Sequence, residues 1–325
     1  MSIKNIHRNS FSDTPTTIKR KVDNNLYDIK KAYTKINGNL VLVWDITESK
    51  YFIIKLTKTS KQMKVTINTS DLLLMTTFPY KHLESGAIDW GDGSSTEINS
   101  TEYKYTHTYD DSITDTTITI KSNDTIVDFY KNFCNFENAD AYIIIPNSIT
   151  TIGSAKFSPS SSDDCYKNLT GVTIPDSVVS IGASAFEGCS KLNRLILPSS
   201  IEVISEYMCK NCTSLTYVSA KNIKIISNDA FSGCSSLSNI ELDNVVAIYN
   251  AFYGCSSLDS IKLPRTLQML GNGSYAFYES THNIYFDGTK SEWENISKGN
   301  FWSRNLNVAY TVYCTDGNID YTIIH

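Results

Sequence analysis

The side chains in this 325-residue chain best suited to chemistry are eight cysteines, five histidines and a few paired carboxylates. Cys209 and Cys212 have the separation of a zinc half-site, but no second CxxC and no HxxxH follows to complete a ligand set. Cys189, Cys212, Cys234 and Cys255 recur at intervals of 23, 22 and 21 residues. A cysteine returning at a near-fixed interval reads as a small buried hydrophobe, because side chains stacked along one direction run parallel and do not converge into a disulfide. His7, His82, His107, His282 and His325 stand in no Ser/His/Asp or Cys/His context. No GxSxG, HExxH or phosphate-binding loop occurs. Asp110-Asp111 and Asp163-Asp164 sit in polar stretches where solvation accounts for them, whereas glycoside cleavage needs two carboxylates across a cleft. Asp89 and Asp92 flank a Gly-rich turn, where carboxylates either contribute oxygens to a calcium ion or cap the turn by accepting backbone N–H groups. The expectation is therefore no catalytic residue, no metal centre and no cofactor.

The elements carrying these residues are β-type. Hydrophobic residues make up 41% and charged residues 19%, the balance of a folded soluble protein, and the polar residues are rich in Ser, Thr, Asn and Tyr. A net charge of −5 without any basic block leaves no electrostatic footprint for nucleic acid. No run approaches the ~18 apolar residues that span a bilayer, so no membrane contact is expected. The N-terminal stretch is polar throughout and does not read as a secretory signal.

An internal period organises the second half of the chain. Leu169, Leu192, Leu215, Leu237 and Leu258 lead successive units of 21 to 23 residues. Each unit continues through a short alternating strand and an Ile-centred turn to an Ala-Phe-x-Gly-Cys corner. The aromatic place is held by Phe186, Phe231, Phe252 and Phe277, with Cys209 in one unit, and strands close at Pro146, Pro175, Pro198 and Pro264. So short a unit cannot bury its own apolar face, so stacking must build a common core. Strand alternation then points Leu192, Leu195 and Leu197 inward and exposes a strip of Thr173, Arg194, Ile196, Tyr217, Ser219, Asn239, Glu241, Ser260, Lys262, Asn283 and Tyr285, the candidate binding residues. An insertion around Pro159 is expected to leave the stack as a surface loop.

The pattern LTGVTIPDSVVSIGASAFEGCSKL resembles the BspA-like leucine-rich repeats over residues 141–320, with Ala220 and Asp243 in place of proline and Ser280 in place of cysteine. The tail, with Trp293 and the strand around Val312, resembles the segment that ends such arrays. This resemblance implies adhesion to proteins, glycans or cell surfaces, without enzymatic activity. WGDGS at 90–94 with His107-Thr-Tyr109 resembles polycystic-kidney-disease-type β-sandwiches, which implies a spacer or binding module. KKAYTKINGNLVLVW at 30–44, with Asn37-Gly38 as a type I′ turn, resembles a short element of bacteriophage virion proteins.

The expected architecture is mainly β: a leucine-rich-repeat solenoid preceded by a small β-sandwich and an N-terminal β-hairpin anchor. Its parts are an anchoring segment (1–55), the sandwich (60–124), a cap carrying Phe129, Phe133 and Phe136 (125–140), the repeats (141–285) and a C-terminal cap (286–325). The functional expectation is a phage tail or capsid-surface protein, oligomeric on the particle. It would join virion structural proteins through the N-terminal segment and bind a host-surface protein or glycan through the repeats. The alternative is a bacterial or other cellular surface adhesin, or a secreted interaction protein, located on the cell surface or outside the cell.

Overall fold

A computed structural model of the chain describes residues 17–22, 25–36, 39–45, 51–59, 62–75, 81–131, 133–159, 165–271, 276–277, 280, 283–299 and 310–321. The chain divides into two compact units, Met1–Thr47 and Glu48–His325. In the first, Thr17–Val22, Asn25–Ile36 and Asn39–Asp45 form a three-stranded antiparallel sheet in chain order. The expected hairpin is its second half, running in register from Lys30↔Asp45 to Ile36↔Asn39. The Asn37-Gly38 turn itself lies outside the described residues.

The second unit opens with two facing sheets. Phe52–Lys58 and Asp115–Ser122 alternate buried and exposed residues, placing Phe52, Ile54, Leu56, Ile118 and Ile120 inward. Gly86–Asp89 and Ser95–Ile98 extend this sheet as an antiparallel pair around the WGDGS turn. Lys104–Thr108, Lys64–Asn68 and Cys134–Glu137 form the second sheet, and the inward residues of both belong to one core. The sandwich therefore reaches beyond 60–124 at both ends. Phe52–Lys58 lies inside its main sheet, and Cys134–Glu137 pairs with Lys64–Asn68 from Cys134↔Ile67 to Glu137↔Lys64. The segment expected to cap the first coil thus contributes a strand. Phe129 bridges sandwich and repeats: with Phe133 it packs on Phe52, at 5.3 and 4.9 Å between ring centroids, and it also meets Phe157 at 5.4 Å.

One strand joins sandwich to solenoid. Ala139–Ile144 pairs antiparallel with Phe52–Lys58 on one side and parallel with Leu169–Thr173, the first repeat strand, on the other. The six-stranded sheet is continuous across the expected boundary at 141.

Beyond it the chain winds in coils. The leading leucines Leu169, Leu192, Leu215, Leu237 and Leu258 are all fully buried in the same core. The phenylalanines form a file: Phe157 stacks on Phe186 at 5.2 Å, Phe231 on Phe252 at 5.5 Å and Phe252 on Phe277 at 5.6 Å, with planes within 10°. Phe157 heads this file one coil earlier than the repeat suggests. At each corner a backbone N–H bonds the next coil, as in Phe186 N to Met208 O (2.8 Å), Cys209 N to Ala230 O (2.8 Å) and Phe231 N to Ala251 O (3.0 Å). The Ala-Phe-x-Gly-Cys signature has a backbone cause. Gly188, Asn211, Gly233 and Gly254 occupy the left-handed region with φ of 76°, 60°, 76° and 69°, and Asn is the side-chain-bearing residue that tolerates it best. The cysteine that follows does more than fill space. Cys189, Cys212, Cys234 and Cys255 donate their S–H groups to the carbonyls of Phe157, Phe186, Cys209 and Phe231 at 3.0–3.1 Å, the aromatic place of the preceding coil. Ser280, where the cysteine is lost, is buried and its hydroxyl has no partner among the described residues.

Across the coil from the main strands, two-residue strands make a second parallel ladder from Val203–Ile204 through Ser297–Lys298. The stack ends in a short helix and two strands. Thr289 and Glu292 form a capping box on the helix Lys290–Asn295, whose Trp293 is fully buried against Phe286 at 5.3 Å. Tyr310–Cys314 then adds a parallel strand, and Gly317–Tyr321 turns back on it antiparallel. Most of the insertion after Pro159, residues 160–164, lies outside the described residues.

Candidate binding face

The repeat strands hold their outward side chains in rows because the strands run parallel and in register. Arg194, Tyr217 and Asn239 are partners in one ladder, as are Ile196, Ser219 and Glu241. Ser260 and Asn283 pair in a second ladder, as do Lys262 and Tyr285. Every residue between the rows (Leu195, Val218, Ile240, Ile261 and Ile284) is buried, which fixes the expected strand register. Ile196, Asn239, Ser260, Lys262 and Tyr285 are exposed, and Arg194, Tyr217, Ser219, Glu241 and Asn283 are half-buried. Thr173 stands apart from both ladders. It belongs to the strand joined to the sandwich, where its hydroxyl meets that of Tyr142 at 2.9 Å.

The rows are not a set of independent side chains. The Arg194 guanidinium lies 4.3 Å from the centre of the Tyr217 ring, and its buried Nε has no hydrogen-bond partner among the described residues. Glu241 accepts from Ser219 Oγ at 3.1 Å and lies 3.9 Å from Lys221 Nζ. Burial, and next the Glu241 carboxylate, push the Tyr217 phenol above its ordinary value, so it stays a neutral donor. Two outward residues escaped the sequence reading, Thr311 and Tyr313, which continue the rows onto the cap strand. Tyr313 stacks on Tyr285 at 4.7 Å and donates to Asn283 Oδ1 at 3.3 Å. The signal was present in the alternation of YTVYC around the inward Val312. Next to these rings a groove of about 500 Å³ opens at the C-terminal ends of the last strands, and Asp243, Lys262, Pro264, Tyr285, Asp287 and Tyr313 help to line it.

The other candidate centres resolve into structural roles. Asp89 accepts from Gly91 N at 3.1 Å and pairs with Lys121 at 2.9 Å. Asp92 accepts from Ser94 N and Oγ at 3.0 and 2.6 Å and meets His107 Nε2 at 2.7 Å. Both carboxylates cap the turn. His107 stacks on Trp90 at 4.9 Å, and Tyr109 donates to the Trp90 carbonyl at 2.9 Å, so His107 is a packing residue. Cys209 and Cys212 are fully buried, and burial raises both thiols. Cys212 spends its proton on the Phe186 carbonyl, which a zinc thiolate cannot do. Among the described residues no helix is long and apolar enough to cross a membrane.

Residues 96–220, 129–246, 163–281 and 218–313 match the BspA type leucine rich repeat region, in 6 copies. These overlapping stretches cover well over half of the chain. The chain belongs to this family. The stacked coils and their outward rows lie within the matched repeat region. Among solved structures, the BspA-type chain is similar to a leucine-rich repeat protein from Eubacterium ventriosum (26% identity, 42% of this chain and 36% of that one, TM-score 0.37). It is also similar to a leucine rich cell surface protein from Faecalibacterium prausnitzii (26%, 48% and 34%, TM-score 0.33) and a leucine-rich repeat protein from Bacteroides ovatus (24%, 49% and 45%, TM-score 0.36). It spans less than half the length of each. No curated protein matches it.

Proposed function

We propose that this chain is a non-enzymatic surface adhesin that binds a host or neighbouring-cell protein or glycan through the outward rows of its repeats. The carrying observation is the division of labour within each repeat strand. Alternate residues are consumed by the core, and the rest form two in-register rows of mixed Arg, Tyr, Asn, Glu, Lys and Ser. Tyrosine and arginine are the residues that most often anchor interfaces, since each combines a large apolar surface with hydrogen-bonding groups. The family match supports a cell-surface setting over a phage particle, since the 30–44 resemblance that points to a particle spans only a short stretch. In this proposal the N-terminal unit attaches the chain and the sandwich, with its WGDGS turn, spaces the repeats from the attachment point. Display in many copies would offset weak single contacts.

The test is binding of the full chain to intact bacterial and epithelial cells, read by flow cytometry. The account expects saturable binding that weakens about tenfold or more, some 1.4 kcal/mol, in the double variant Arg194→Ala/Tyr217→Ala. Circular dichroism should show the native β spectrum for that variant. Equal binding by a folded variant would remove the strip from the binding site.

A further inference from the structure

We infer that the groove at the C-terminal ends of the last repeat strands is a site for a neutral oligosaccharide, with Tyr285 and Tyr313 as its platform and Asp243 and Asp287 as its hydroxyl acceptors. The inference rests on the adhesin reading and narrows it to one ligand class and one location.

The groove crosses four successive elements of the stack, marked by Asp243, Lys262, Tyr285 and Tyr313. Neighbouring parallel strands lie ~4.8 Å apart, so it spans about 14 Å, room for more than one sugar ring. Its wall is aromatic and rigid. Tyr285 and Tyr313 stand ring against ring, 4.7 Å apart and 14° from parallel, and Tyr285 is still 44% exposed. A stacked pair loses little freedom when a third planar face is laid on it, and the weakly apolar C–H face of a pyranose is such a face. Beside the rings, Asp243, Lys262 and Asp287 are exposed, and among the described residues none of their side chains makes a hydrogen bond or ion pair. Two nearby cations are already committed, Lys221 to Glu241 and Arg265 to Glu292. Uncommitted carboxylates next to an apolar platform suit a ligand that is all hydroxyl donors around an apolar ring.

Two alternatives fit less well. An extended peptide added to a sheet needs free backbone N–H and C=O groups. Here the groove backbone is already engaged, Asp287 N with Leu263 O at 3.0 Å and Thr315 N with Gly288 O at 2.9 Å. An acidic glycan would meet two carboxylates and one ammonium, a net repulsion. Both carboxylates face solvent, so they serve as acceptors and not as the desolvated acid that glycoside cleavage requires.

The experiment applies the full chain to an array of neutral hexose and N-acetylhexosamine oligosaccharides, with sialylated and sulfated ones alongside, followed by titration calorimetry with the best neutral binder. Retention of a neutral oligosaccharide is expected. Affinity should fall at least tenfold in Tyr285→Ala and in Asp243→Asn/Asp287→Asn, and stay unchanged in Tyr253→Ala, an exposed corner residue outside the groove. The paired amide variant keeps the side-chain shapes, so it reports on the acceptors even if removal of the ring disturbs the cap. Retention of acidic glycans alone, of none, or of neutral ones with undiminished affinity in both groove variants overturns the proposal. Cell binding that persists through these variants without glycan retention would overturn the groove site while leaving the adhesin reading intact. Loss of cell binding by the wild-type chain would count against the reading itself.

Discussion

At the residue scale, the WGDGS turn shows how a motif can be legible while its chemistry is not. Gly91 (φ +79°) sits so close to Thr117 that a Cβ would fall 2.4 Å from the Thr117 carbonyl oxygen, so only glycine fits. That much follows from the residue type. Whether Asp89 and Asp92 bind an ion or cap the turn depends on which way each oxygen points, and spacing does not encode that. The Ser94 hydroxyl and N–H, with His107, hold the Asp92 carboxyl at about 2, below its ordinary 3.8. A carboxyl lowered by folding adds stability that is complete above its unfolded value and disappears as pH falls toward the folded one. The thermal midpoint of the wild-type chain should therefore drop between about pH 4 and pH 2, more steeply than that of Asp92→Asn, which has no charge to lose there. Parallel curves from a pH series of circular-dichroism melts would show that Asp92 does not stabilise the turn.

At the element scale, the coil is held by files that the period predicts and by corners that it predicts only in part. The leucine file follows from spacing alone, because a short unit has nowhere else to put a recurring leucine. The corner was harder to read. Ser184, Tyr207 and Asp229, with φ of 56°, 57° and 52°, take a left-handed backbone with three unrelated side chains, so no residue type marks the place. Phe157 was missed because the insertion after it breaks the Phe-x-Gly-Cys spacing. Phe231 is fully buried and stacked on Phe252, and its carbonyl receives the Cys255 thiol. Phe231→Ala should cost about 3–5 kcal/mol in urea unfolding, the range for a large core ring replaced by a cavity. A loss below about 1 kcal/mol, the scale of an exposed substitution, would mean that the file carries little of the stability.

At the scale of the second unit, the sandwich and the solenoid share a sheet and a core, which the sequence concealed. Ala139–Ile144 reads as the first repeat strand because it ends at Pro146 like the others. Only the pairing of Ile143 with Ile54 and of Tyr142 with Lys55 reveals that its other edge closes the sandwich. Cutting the chain at 141 would open that edge, so binding work belongs with the full chain. Which side chains of the repeat strands point outward followed from period-two alternation once the leucines are inside, but Thr173 falls on the strand shared with the sandwich, and the continuation through Thr311 and Tyr313 was hidden by their place beyond the last full repeat. The strip's role as the binding face is tested most directly by hydroxyl-radical footprinting of the full chain while bound to its target cells. Tyr217, Tyr285 and Tyr313 should be protected on binding, while Tyr207 and Tyr253, exposed at the coil corners, should stay as reactive as in the free chain. Protection at Tyr207 and Tyr253 with the three strip tyrosines unchanged would contradict the account and move the binding face to another side of the solenoid.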